Sequence, residues 1–153
     1  MKPRVKYGLI VGVAGMLLNV CVSAAMGVCG PVMSLLAGAI AGFLTGQAEK
    51  APEPGDGARL GAISGLIAGS LVLVGQLVGG AGVLAFVQFA EIPIGFGTVP
   101  QTSDLVGTAG YWGIGLGVAV CFGLVGLVLS ALTGAAGGYL GTPSGETKAG
   151  SNW

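Results

Sequence analysis

Four stretches of this chain, residues 7–26, 31–46, 58–80 and 111–141, contain a single charged residue between them, Arg59 near the start of the third. A segment this apolar cannot face water along its whole length. A helix needs about 20 apolar residues, at ~1.5 Å each, to cross the hydrocarbon of a bilayer. The first and third stretches meet that length. The second reaches it if its helix continues through Gln47–Lys50 into the headgroup layer, and the fourth is long enough to tilt or project. The expected fold is therefore all-α, a polytopic transmembrane four-helix bundle forming one membrane domain over 1–153.

Charge placement orients the spans. All six basic residues, Lys2, Arg4, Lys6, Lys50, Arg59 and Lys148, fall in the N-terminal tail, the 47–59 region or the C-terminal tail. Four crossings put those regions on one side. The remaining connections, 27–30 and 81–110, carry only Glu91 and Asp104. The positive-inside rule then predicts both termini in the cytoplasm. Tyr7 and Tyr139 fall near the inner interface, Tyr111 and Trp112 near the outer one. Lys2, Arg4 and Lys6 before an apolar run also fit a cleavable signal peptide, and LNVC at 18–21 hints at a lipoprotein box. Cleavage would leave an odd number of spans, so a retained helix is the expectation.

Two phrases repeat. LLAGAIAGFLTG at 35–46 and ALTGAAGGYLG at 131–141 align Gly38, Ala39, Gly42 and Leu44 with Gly134, Ala135, Gly138 and Leu140. RVKYGLIVG at 4–12 and GARLGAISG at 57–65 align Lys6, Gly8, Ile10 and Gly12 with Arg59, Gly61, Ile63 and Gly65. The chain thus reads as two tandem helical hairpins, 6–46 and 58–141, joined by a polar cytoplasmic linker at 47–57. The second carries an extracytoplasmic insertion at 81–110, interfacial or re-entrant, and 142–153 is a flexible tail. Two spans per copy would place a pseudo-two-fold axis along the membrane normal.

Glycine spacing says how such helices meet. Gly8 and Gly12, Gly38 and Gly42, Gly61, Gly65 and Gly69, and Gly134 and Gly138 recur every fourth residue, so each set lines one helix face. Lipid tails are as apolar as leucine, so helix pairing in a bilayer relies on close packing at small residues. These faces should meet other helices, in the same chain or in a partner.

Polar residues within or beside the spans are few. Asn19 and Gln76 share faces with the glycines and should point inward, either as a polar path or as interhelical hydrogen bonds. Glu91 stands alone in the apolar stretch 82–97, where it either meets water at the boundary or leads towards a pore.

Histidine is absent, which excludes imidazole ligation and a histidine base. Cys21, Cys29 and Cys121 have no metal-site spacing. The spans hold no paired carboxylates and no phosphate-binding loop, and the net charge of zero offers no footprint for nucleic acid. Neither enzymatic activity nor a cofactor or metal is expected. The stretch CGPVMSLLAGAIAGFLTG at 29–46, a Cys/Gly/Pro turn before a glycine-rich helix, resembles small, glycine-rich, four-span bacterial membrane proteins of uncharacterised function. The resemblance implies a bacterial cytoplasmic membrane and supplies no activity. Two roles remain. One is a structural or accessory subunit that packs on itself or on a larger membrane complex through small-residue faces. The other is a minimal channel or transporter for a small solute, with Asn19, Gln76 and Glu91 along its path.

Overall fold

The computed structural model describes residues 1–25, 30–92 and 104–143, and it is all-α. Its four helices are α1 (Pro3–Ala25), α2 (Gly30–Glu49), α3 (Pro54–Phe89) and α4 (Leu105–Gly141). All four are long and apolar enough to cross a membrane, as a multi-pass protein requires. At ~1.5 Å per residue, α1 and α2 are about 35 and 30 Å long, while α3 and α4 reach about 54 and 56 Å. The second pair therefore extends well past the first.

Local chemistry explains the ends. Pro54 opens α3, where its missing N–H costs nothing, and the Glu53 carbonyl accepts from the Gly57 amide. Asp104 caps α4, its side chain accepting from the Gly107 amide at 3.1 Å. α3 closes with the Ile92 amide donating to the Val87 carbonyl and Glu91 in left-handed backbone (φ 51°).

Several expected boundaries move. Residues 47–49 finish α2 and 54–57 begin α3, so the linker shrinks to 50–53. The expected insertion at 81–110 is not a separate element among the described residues: 81–89 continue α3 and 105–110 open α4. The third apolar stretch was expected to end at Gly80, but α3 runs on through it, since glycine inside a long apolar helix interrupts no hydrogen bond. Residues 26–29, on which most of the expected 27–30 connection and Cys29 fall, lie outside the described residues, as does the tail beyond Pro143.

α2 and α3 pack together at the centre. α1 lies on one side of that pair and α4 on the other, and α1 and α4 do not meet. A two-fold operation exchanging α1 with α3 and α2 with α4 would carry the α2–α3 contact onto an α1–α4 contact. The packing therefore does not repeat with the sequence phrases.

The Arg4 amide donates to Glu49 Oε1 at 3.0 Å, with Arg4 Nε 3.9 Å from the same oxygen. This ties the start of α1 to the end of α2. The start of α3 packs on the end of α4, where Gly57 faces Gly138 and Thr142. Lys2, Arg4, Lys6, Lys50 and Arg59 thus gather at one end of the bundle.

The interior is built from small residues. Ala41, Ala68, Val72, Thr45, Ser64 and Ser130 are fully buried, whereas Leu17, Leu18, Leu36, Ile40, Leu132 and Leu140 are exposed. This inverts a water-soluble protein and suits a hydrocarbon solvent, which gives large apolar side chains no reason to turn inward.

Candidate functional site

Backbone-to-backbone contact dominates at the basic end. A methyl group at Gly42 would land on the Gly134 carbonyl, one at Gly38 on that of Ser130, and one at Gly46 on that of Gly138. On α3, Gly57, Gly61 and Gly65 press in the same way on α4 at Gly138, Gly134 and Ser130, and Gly69 meets the Ser130 side chain. α4 answers with two faces. Gly134 and Gly138 meet α3, while Gly137 and Gly141 meet the α2 backbone at Ala39 and Phe43. The helix is wedged into the groove between α2 and α3. Gly8 and Gly12 serve a different interface, approaching Ser64, Ile67, Ala68 and Leu71 of α3. All nine glycines singled out in the sequence are thus consumed inside the chain.

Hydroxyl groups lock these faces. Ser64 Oγ donates to the Ala41 carbonyl (3.2 Å), Ser130 Oγ to that of Gly65 (2.8 Å) and Thr133 Oγ1 to that of Leu35 (3.0 Å). Their only sequence signal was position: Ser130 lies in the four-residue series with Gly134 and Gly138. Gly137 and Gly141, three residues beyond these two glycines, were missed as a second stripe.

Asn19 and Gln76 are both buried. Asn19 Nδ2 donates to the Val72 carbonyl at 3.1 Å, and Gln76 Nε2 to that of Ala119 at 3.4 Å. Since Val72 and Gln76 are one turn apart on α3, the two amides link α1, α3 and α4 at neighbouring levels. Both act on helix carbonyls. Gln76 also borders a cavity of about 170 Å³ between α3 and α4, otherwise lined by apolar residues such as Val83, Leu84, Val118 and Phe122. Glu91 stands apart from both. It is exposed at the end of α3, so the structure does not bring the three polar residues together.

Asn19 Oδ1 has no hydrogen-bond partner although it is buried. Asn19→Leu removes one interhelical hydrogen bond, about 1 kcal/mol in a bilayer. It also removes an orphaned acceptor whose burial costs about 1–3 kcal/mol. The variant is therefore expected to match or exceed wild-type stability in detergent-titrated unfolding. A loss above ~3 kcal/mol, more than overpacking by the larger leucine commonly costs, would mean that Oδ1 has a partner such as a bound water.

At the far end the contacts change character. Tyr111 OH donates to the Leu84 carbonyl (3.0 Å) and Trp112 Nε1 to Gln88 Oε1 (2.9 Å), while the two rings meet edge to face. Leu84 fills the space beside Gly115, but Gly110, Gly113 and Gly117 have no other described part of the chain within 4 Å of where a Cβ would stand. These three exposed glycines, spaced by three and four residues, line an outer face of α4 beside Ile114 and Val118.

Among the described residues, no group of three histidine, cysteine, aspartate or glutamate side chains could hold a metal ion. Cys21 and Cys121 are free and exposed. No family model, curated protein or solved structure matches the chain.

Proposed function

We propose that this chain is a structural or accessory subunit of the bacterial cytoplasmic membrane, with both termini in the cytoplasm. It docks on a second transmembrane helix, from another copy of itself or from a larger complex, through the open glycine stripe of α4. The observation that carries this reading is the set Gly110, Gly113 and Gly117, exposed with nothing among the described residues packed on them. Each glycine inside a helix costs about 1 kcal/mol relative to alanine. Along the buried stripes between α2, α3 and α4 that cost is offset by close backbone approach. Here no described residue supplies the compensating neighbour, and the partner helix takes that place.

Orientation follows from charge. Five basic residues face three acidic ones (Glu49, Glu53, Asp56) at one end, and only Glu91 and Asp104 mark the other among the described residues. This asymmetry supports a cytoplasmic basic end. The filled axis of the bundle, closed by Ala41, Ala68, Val72 and Ser64, speaks against a conduit through one copy. A channel would have to form between copies. The absence of paired ionisable groups in the spans supports a non-enzymatic role.

Native mass spectrometry in a mild detergent tests the proposal. A stoichiometric complex, with itself or with a larger membrane protein, is the expected result. A mass corresponding to one chain, under conditions that preserve known membrane complexes, would rule the docking role out.

A further inference from the structure

We infer that the cleft between the start of α1 and the first turns of α3 binds a phospholipid headgroup carrying both a phosphate and a primary ammonium, as in phosphatidylethanolamine. The cleft has a volume of about 410 Å³ and is lined by Arg4, Pro52, Asp56, Arg59, Leu60 and Ile63. It therefore offers two guanidinium groups, one carboxylate and an apolar floor.

The charged groups are poorly served from within the chain. Arg4 approaches Glu49 only through Nε, at 3.9 Å, the limit of an ion pair, and that oxygen already accepts from the Arg4 backbone amide. Asp56 and Arg59 have opposite charge and lie three residues apart on α3, where such side chains can meet. Yet no ion pair joins them, and Arg4–Glu49 is the only one among the described residues. A zwitterionic headgroup answers both signs at once. Its phosphate takes the planar forks of Arg4 and Arg59, and its ammonium faces Asp56. A purely anionic headgroup would instead set a negative charge against that carboxylate.

The floor decides between a lipid and a soluble phosphate, which share the phosphate chemistry. Leu60 and Ile63 continue along α3 from the charged rim into the apolar zone, and Ile63 is 37% exposed. An acyl chain running down from the headgroup would cover this surface. Inorganic phosphate gains nothing from it. The inference rests on the chain spanning a membrane with its basic end at a headgroup layer, not on the docking role. The glycine stripe lies at the opposite end, so blocking docking leaves the cleft intact.

The test uses the delipidated full-length protein in detergent, mixed with equal amounts of phosphatidylethanolamine and phosphatidylglycerol, with bound lipid counted by native mass spectrometry. Retention of the ethanolamine lipid is expected to exceed that of the glycerol lipid by about fivefold, the worth of one favourable charge contact near a membrane surface. Asp56→Asn should erase the preference, and Arg59→Ala should lower retention of both lipids about fivefold. Inorganic phosphate at the same concentration should give no adduct. Both side chains are exposed, so unchanged melting temperatures are expected and would show the fold to be intact. Equal or better retention of phosphatidylglycerol would overturn the inference. So would an undiminished preference in Asp56→Asn, or an adduct with phosphate alone.

Discussion

Replacing Gly42 with leucine is expected to leave no folded four-helix bundle. The first side-chain atom alone would fall on the carbonyl, carbonyl carbon and Cα of Gly134. None of these belongs to a rotatable side chain, so relief requires moving α2 away from α4 as a body. That movement would also part Gly38 from Ser130 and Gly46 from Gly138, and break the Thr133–Leu35 hydrogen bond. Overpacking a core commonly costs 1–3 kcal/mol and occasionally more. Here alanine should cost about 3 kcal/mol and leucine a large part of a total stability of about 5–15 kcal/mol. Gly55→Ala is the matched control. Nothing lies within 4 Å of that position, and gaining helix propensity there should leave stability equal or slightly raised. Detergent-titrated unfolding, followed by tryptophan fluorescence, reads both. A Gly42→Leu protein that unfolds at the wild-type midpoint would refute the packing account.

Gly113→Leu should do the reverse, preserving the fold and losing the complex. No atom of the described residues, outside the neighbouring turns of α4 itself, lies within 4 Å of where a Cβ at Gly113 would stand. Its effect on folding should be neutral or favourable, since leucine is the better helix former. A partner backbone seated on the stripe could no longer approach, and the contacts at Gly110 and Gly117 would part with it. Association should weaken at least about tenfold, a loss of ~1.4 kcal/mol, visible as a shift of native mass to the single chain. The contrast with Gly42→Leu is the discriminating feature. Docking through the buried stripes would make one substitution destroy fold and complex together. A Gly113→Leu protein with both fold and complex intact would remove this face from the interface.

The two variants also mark where the sequence was readable. Uninterrupted apolar runs, clustered basic residues and small residues every fourth position were sufficient for four spanning helices with glycine-lined faces, because those features depend only on solvent and helix geometry. Helix ends were less legible. The third apolar stretch was expected to end at Gly80, but α3 runs through it because Leu84 and Gly115, with the Tyr111 and Trp112 hydrogen bonds, hold α4 alongside. Glu91 left two readings open, water at the boundary or a path towards a pore, for a related reason, and its exposure agrees with the first. Its apolar neighbours are plain in the sequence, whereas the end of α3 beneath it is not.

The sequence by itself determined the membrane environment, the number of spans and the kind of residue at each helix contact. Only the tertiary structure decided which glycine meets which helix. Gly42 and Gly113 sit in equally apolar surroundings and have the same lack of a side chain. One is closed off by the backbone of Gly134 and the other is open. That difference depends on how α4 enters the groove between α2 and α3, a choice made by mutual fit of whole helix surfaces and encoded in no single stretch of chain.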